Sequence, residues 1–186
     1  AFLSTANELV SAPVGASSQI YVRDLTAKTT QVVSAGLNGE AVDHGDLTTV
    51  SLSADGRVAA FHTRAAGLVP NDSNDAHDVF ARNLASGSLQ LVSERHPARP
   101  SQTASGFSSF SGNPFDDEGR HLVFTSSAGN LVANDTNGRA DIFVRDLQAG
   151  TNIVITASAD GATTADGFSR NPFLSRNARW VAFSSL

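Results

Sequence analysis

The chain has 186 residues, 40% of them hydrophobic and 17% charged, with 13 basic and 18 acidic side chains and a net charge of −5. A charged share well below the usual quarter leaves Ser, Thr, Asn and Gly to form the surface, which suits many tight turns better than long solvated helices. With no basic run, recognition of a nucleic-acid backbone or an anionic membrane surface is not expected, and the absence of cysteine excludes disulfides, zinc–thiolate sites and thiol nucleophiles.

In chain order, the first element is Ala1 to Leu25 (AFLSTANELVSAPVGASSQIYVRDL). It recurs as Ala60 to Leu84 (AFHTRAAGLVPNDSNDAHDVFARNL) and Val123 to Leu147 (VFTSSAGNLVANDTNGRADIFVRDL). The anchoring phenylalanines Phe2, Phe61, Phe124 and Phe183 are 59, 63 and 59 residues apart, and a second anchor precedes three of them: SLSADGRVAAF, FDDEGRHLVF and FLSRNARWVAF. Repeats of this length are read before local propensity, because they decide the architecture.

In the second repeat, strands are expected near 48–53, 57–63, 77–84 and 88–93. Asp55-Gly56 turns the first pair, and Ser86-Gly87 turns the last pair, as Ala149-Gly150 does in the third repeat. No segment holds a 3.6-residue apolar period long enough for a helix, and no apolar stretch approaches the roughly 18 residues that cross a bilayer. The expected organisation is a single repeat region over 1–186, with repeats at about 1–59, 60–122 and 123–181 and the start of another at 182–186. The chain has no methionine and opens inside what reads as a strand. A processed chain or a piece of a longer protein is the expectation.

The S-x-D-G-R turn, the V-A-F strand and the D-[IV]-F-V-R-D-L strand, three times in phase, resemble the repeats of TolB-like β-propellers. The resemblance covers nearly the whole chain. It implies an all-β fold of four-stranded antiparallel blades, about three in this chain, and a periplasmic, cell-surface or secreted setting. Propellers close with roughly four to eight blades, so three make a partial or half propeller. Closure would come from further chain or from a homodimer completing a six-bladed ring.

Successive strands put the short turns near 54–56, 85–87, 117–119 and 148–150 on one face. The long connections 35–47, 64–76, 94–107, 126–140 and 158–168 share the other, where binding is expected. Two of them carry N-D-[ST]-N-x-x-x-D, as Asn71, Asp72, Asn74, Asp78 and as Asn134, Asp135, Asn137, Asp141. Two readings stay open. Asx side chains are turn formers that bond nearby amides. Clustered carboxylate and amide oxygens also suit calcium, with Asp72, Asn74 and Asp78, and Asp135, Asn137 and Asp141, as ligands completed by carbonyls and water toward about six to eight oxygens. The first repeat has Ala12, Pro13, Gly15 and Gln19 at these places, so calcium is not expected there.

No nucleophile elbow, zincin motif or phosphate loop is present. The five histidines fall at unmatched repeat positions, and Asp116, Asp117 and Glu118 read as a solvated turn. Arg23, Arg82 and Arg145 recur in phase, which points to inter-strand or inter-blade hydrogen bonding. Less regular are His44, Asp46, His96, Arg99 and Arg170, on the loops entering the inner strands, and these are the candidate binding residues. The expected function is a non-catalytic module that binds or scaffolds a protein or glycan. The alternatives are a polysaccharide lyase, an accessory domain of a hydrolase, or a structural unit of a larger surface protein.

Overall fold

The computed structural model describes residues 1–6, 8–11, 17–36, 39–40, 42, 49–70, 72, 74–96 and 104–186. Among the described residues thirteen strands form four antiparallel sheets, and there is no helix. The first sheet holds β1 (Phe2–Ser4), β2 (Gln19–Asp24) and β3 (Thr29–Val32); the second holds β4 (Val50–Leu52), β5 (Val58–Thr63), β6 (Asp78–Asn83) and β7 (Leu89–Leu91). β8 (Ser108–Ser109), β9 (His121–Ser126), β10 (Asp141–Asp146) and β11 (Thr151–Val154) make the third, and β12 (Ser169–Leu174) with β13 (Val181–Ser185) the last. The strands expected in the second repeat are all present, each trimmed by a few residues at its ends.

Residues alternate across each sheet, and the two faces differ in size. In the second sheet, Phe61 and Phe80 pack with Ile20, Val22 and Val33 of the first, whereas Ala60, Val79 and Ala81 pack with Leu122, Phe124 and Phe143 of the third. Val123, Ile142 and Val144 of the third then meet Leu174 of the last. The first three sheets therefore turn an aromatic face backward and an aliphatic face forward. The aromatic face is a cross-strand stack, Phe61 on Phe80 at 5.6 Å and Phe124 on Phe143 at 5.5 Å, at the ring separation that offset pairs favour. Phe2 on Tyr21 repeats it at 5.7 Å, with the Tyr21 hydroxyl donating to the Ala6 carbonyl.

Three of the four extra residues between Phe61 and Phe124 have a local cause on the way into the third sheet. Between the pairs Ser109↔Thr125 and Phe115↔Leu122, six residues on one strand span what three span on the other, and Gly112 takes φ 62° within the bulge. Gly119 (φ 65°) is required twice over, since a Cβ there would also lie 2.7 Å from Cβ of Ser53 on the preceding sheet.

Candidate functional site

The two Asn–Asp loops are hydrogen-bonded staples. Asn74 Nδ2 donates to Asp78 Oδ2 (2.9 Å) and to the Ala104 carbonyl (2.6 Å), on the segment leading into the third sheet. Asn137 does the same to Asp141 Oδ2 (2.8 Å) and the Ala165 carbonyl (2.5 Å), leading into the last sheet. Backbone amides of Ala76 and Arg139 donate to the two side-chain oxygens and so fix which way each amide faces. The second carboxylate oxygens accept the hydroxyls of Ser93 and Thr156, each at 2.6 Å.

Gln19 shows what this arrangement accomplishes. It stands where Asp78 and Asp141 stand, accepts from Ser34 Oγ (2.7 Å) and donates to the Val42 carbonyl (2.8 Å), so one neutral amide replaces the Asn–Asp pair. In the charged versions burial is costly. It pushes the Asp78 carboxyl up to about 7, with the charge of Asp72 adding to the rise against the hydrogen bonds from Ser93 and Asn74. Asp72, Asp135 and Asp141 are raised by burial too, and the charge of Asp141 adds at Asp135. An amide nitrogen sits between a carboxylate and a carbonyl in both loops, at the place where a hard cation would want oxygen. Among the described residues no three His, Asp or Glu side chains converge as a metal site.

A groove of about 360 Å³ lies between the second and third sheets, lined among others by Glu94, Arg95, His96, Leu131, Arg145 and Asn152. Arg145 is 5% exposed, and its guanidinium donates to Glu94 Oε2 at 2.9 Å. The Glu94 carboxylate is half exposed. Asn152 Nδ2 donates to the Glu94 carbonyl, and Arg95 donates through one terminal nitrogen to the His96 carbonyl. Three buried polar atoms in this wall have no partner among the described residues: Arg95 Nε, Arg145 Nε and Asn152 Oδ1. Buried polar groups are nearly always satisfied, and each orphan costs about 1–3 kcal/mol.

One repeat earlier the same position is closed. Arg82 donates from Nε to the Val33 carbonyl (2.6 Å) and from its terminal nitrogens to the carbonyls of Ala35 (2.5 Å) and Gly87 (2.8 Å). The expectation of an inter-sheet hydrogen-bonding arginine describes Arg82. Arg145 departs from it: its guanidinium pairs with the Glu94 carboxylate, and the Glu94 carbonyl, at the repeat position of Ala35, accepts from Asn152 instead.

Of the residues singled out from the sequence, His96 lines this groove, and its amide donates to the Asn130 carbonyl. Arg170 is exposed on β12, opposite Ser184 and away from the groove. His44, Asp46 and Arg99 lie outside the described residues. Sequence reasoning missed Glu94, Arg95 and Asn152, and took Arg145 as structural. It also read Asp116 as solvated, but Asp116 is 3% exposed. It accepts from His121 Nδ1 (2.7 Å) and from the amides of Arg120 and His121. His62 and His77 pack together; their Nδ1 atoms are 3.5 Å apart, beside Phe107 and Phe110.

No family model matches the chain, and no curated protein does. Solved structures do. A protein described as a TolB from Agrobacterium tumefaciens matches at a TM-score of 0.50 and 17% identity, over 92% of this chain and 47% of its own. The tricorn protease matches at 0.52 and 10% identity, over 91% of this chain and 13% of its own. The β-propeller domain of the trilobed protease from Pyrococcus furiosus aligns at 0.42 and 13% identity, over 73% of this chain and 33% of its own. The chain thus spans about half the length of the TolB it matches. Antiparallel sheets of up to four strands, stacked aromatic face onto aliphatic face and matched to such neighbours, have a β-propeller fold like that of the TolB they match.

Proposed function

We propose that the chain is a non-catalytic propeller module that binds or scaffolds a protein or glycan partner, with the groove between the second and third sheets as its recognition surface. One observation carries this reading. A repeated position that hydrogen bonds close completely at Arg82 is left with three unpartnered buried polar atoms around Arg145, and such sites are where ligands complete a protein's hydrogen bonding. A periplasmic, cell-surface or secreted location accompanies this reading, on the likeness to TolB. No helix among the described residues is long and apolar enough to cross a membrane.

A panel of glycans, polyuronates and peptides, scored for both binding and turnover, tests the reading. Binding without product is the expected result. Product formation would replace it with the lyase alternative. A second reading, the accessory propeller of a peptidase, is favoured by the tricorn protease match. It predicts that the chain changes substrate selection when joined to a hydrolase domain and binds no panel member by itself.

A further inference from the structure

We infer that the groove receives a carboxylate from an extended peptide, its free C-terminus, and that Glu94 holds that place when the groove is empty; this rests on the binding-module reading above. The inventory of unpartnered atoms defines the ligand. Arg95 Nε and Arg145 Nε are donors that need an acceptor, and two arginines lining one groove call for an anion. Asn152 Oδ1 is an acceptor that needs a donor. A C-terminal residue supplies both, a carboxylate and, two bonds away, its own amide N–H. Leu131, in the same wall, offers apolar contact to its side chain.

Glu94 is the internal stand-in. Its carboxylate already pairs with Arg145 at 2.9 Å, yet the side chain is half exposed and swings out at little cost. An incoming carboxylate takes over the Arg145 guanidinium and, unlike Glu94, recruits Arg95 as well. A peptide is favoured over a sugar acid for two reasons. A single orphan acceptor matches one amide N–H better than a ring of hydroxyls, and β11, which carries Asn152, is the outermost strand of its sheet, the kind of edge an extended chain pairs with.

The test uses the whole chain, a labelled tetrapeptide ending in leucine as the free acid, and the same peptide as its C-terminal amide, followed by anisotropy and by NMR of the arginine Nε–H and Asn152 side-chain signals. The free acid is expected to bind and to shift the Arg95, Arg145 and Asn152 signals, with the amide about tenfold weaker or worse. Glu94→Gln, which removes the internal competitor at an exposed site, is expected to tighten binding about threefold or more, and Arg95→Gln to weaken it about fivefold or more. Equal binding of acid and amide, unchanged affinity in both variants, tighter binding of galacturonate than of the peptide acid, or shifts confined to another surface would each overturn the inference. A panel ligand that binds elsewhere would leave the module reading standing without it. Absence of binding by every panel member would remove both.

Discussion

Arg82 and Arg145 occupy the same place in successive repeats and point at the junction with the preceding sheet, yet they do different work. Arg82 spreads its guanidinium over three backbone carbonyls and seals its junction. Arg145 grips a half-exposed carboxylate and leaves its own Nε unmatched. The apolar packing behind the two follows one plan, an aromatic face onto an aliphatic face, Phe61 and Phe80 onto Ile20, Val22 and Val33 at the first and Phe124 and Phe143 onto Ala60, Val79 and Ala81 at the second. Repetition therefore preserves the junction's core, while two substitutions at its rim, Glu94 for Ala35 and Asn152 on the facing strand, convert a seal into a groove.

The largest expected effect tests the shared part. Phe61→Ala and Phe124→Ala should each cost about 3–5 kcal/mol in urea denaturation, because both empty an equivalent buried stack. Values differing by more than about 2 kcal/mol would mean that the junctions are not equivalent in packing. Next comes the arginine itself. Arg82→Met should cost about 1–3 kcal/mol by stranding buried carbonyls, and Arg145→Met clearly less, since it strands only a half-exposed carboxylate. Equal losses would dissolve the contrast.

Acidification separates the junctions further, because the first is stapled by neutral Gln19 and the second by Asp78. The folded carboxyl of Asp78 titrates near 7, above its ordinary range, so the folded state holds a proton that the unfolded chain has released. Stability contributed by that proton is complete below about pH 4 and is lost as pH rises through about 7. Melting at pH 5 should therefore exceed melting at pH 8 by about 5 °C, and Asp78→Gln should flatten the difference. Below about pH 4 the sign reverses, as Asp146, held low by hydrogen bonds from Arg120 and from the amides of Ala149 and Gln148, takes up its proton.

The smallest effect concerns calcium. With amide nitrogens of Asn74 and Asn137 turned inward, millimolar calcium and chelator should give the same melting midpoint. A rise with calcium would show that both amides turn over to present oxygen.

Much of this architecture was legible because its signals are large and local. Phe2, Phe61 and Phe124 announce the repeat, and Asp55-Gly56 and Ser86-Gly87 announce the turns, since each reports a packing or backbone need at its own position. The Asn–Asp loops were visible but ambiguous. Their deciding partners are the carbonyls of Ala104 and Ala165, which are backbone atoms about thirty residues away with no sequence signature. The groove was hidden for a related reason. Arg82 and Arg145 are the same residue in the same phase, and only the neighbours that the fold brings across a junction give them different fates.

The unlike faces of each sheet make the stack polar, in the sense that a row of cups is polar. A sheet can be followed by a copy of itself in the same sense, aromatic ring into aliphatic side chains, but two sheets turned back to back would crowd phenylalanine against phenylalanine. Tandem duplication of a single gene segment keeps that sense automatically. Growth by repetition is therefore cheap for this fold, and rim residues such as Glu94 and Asn152 are free to diverge one junction at a time.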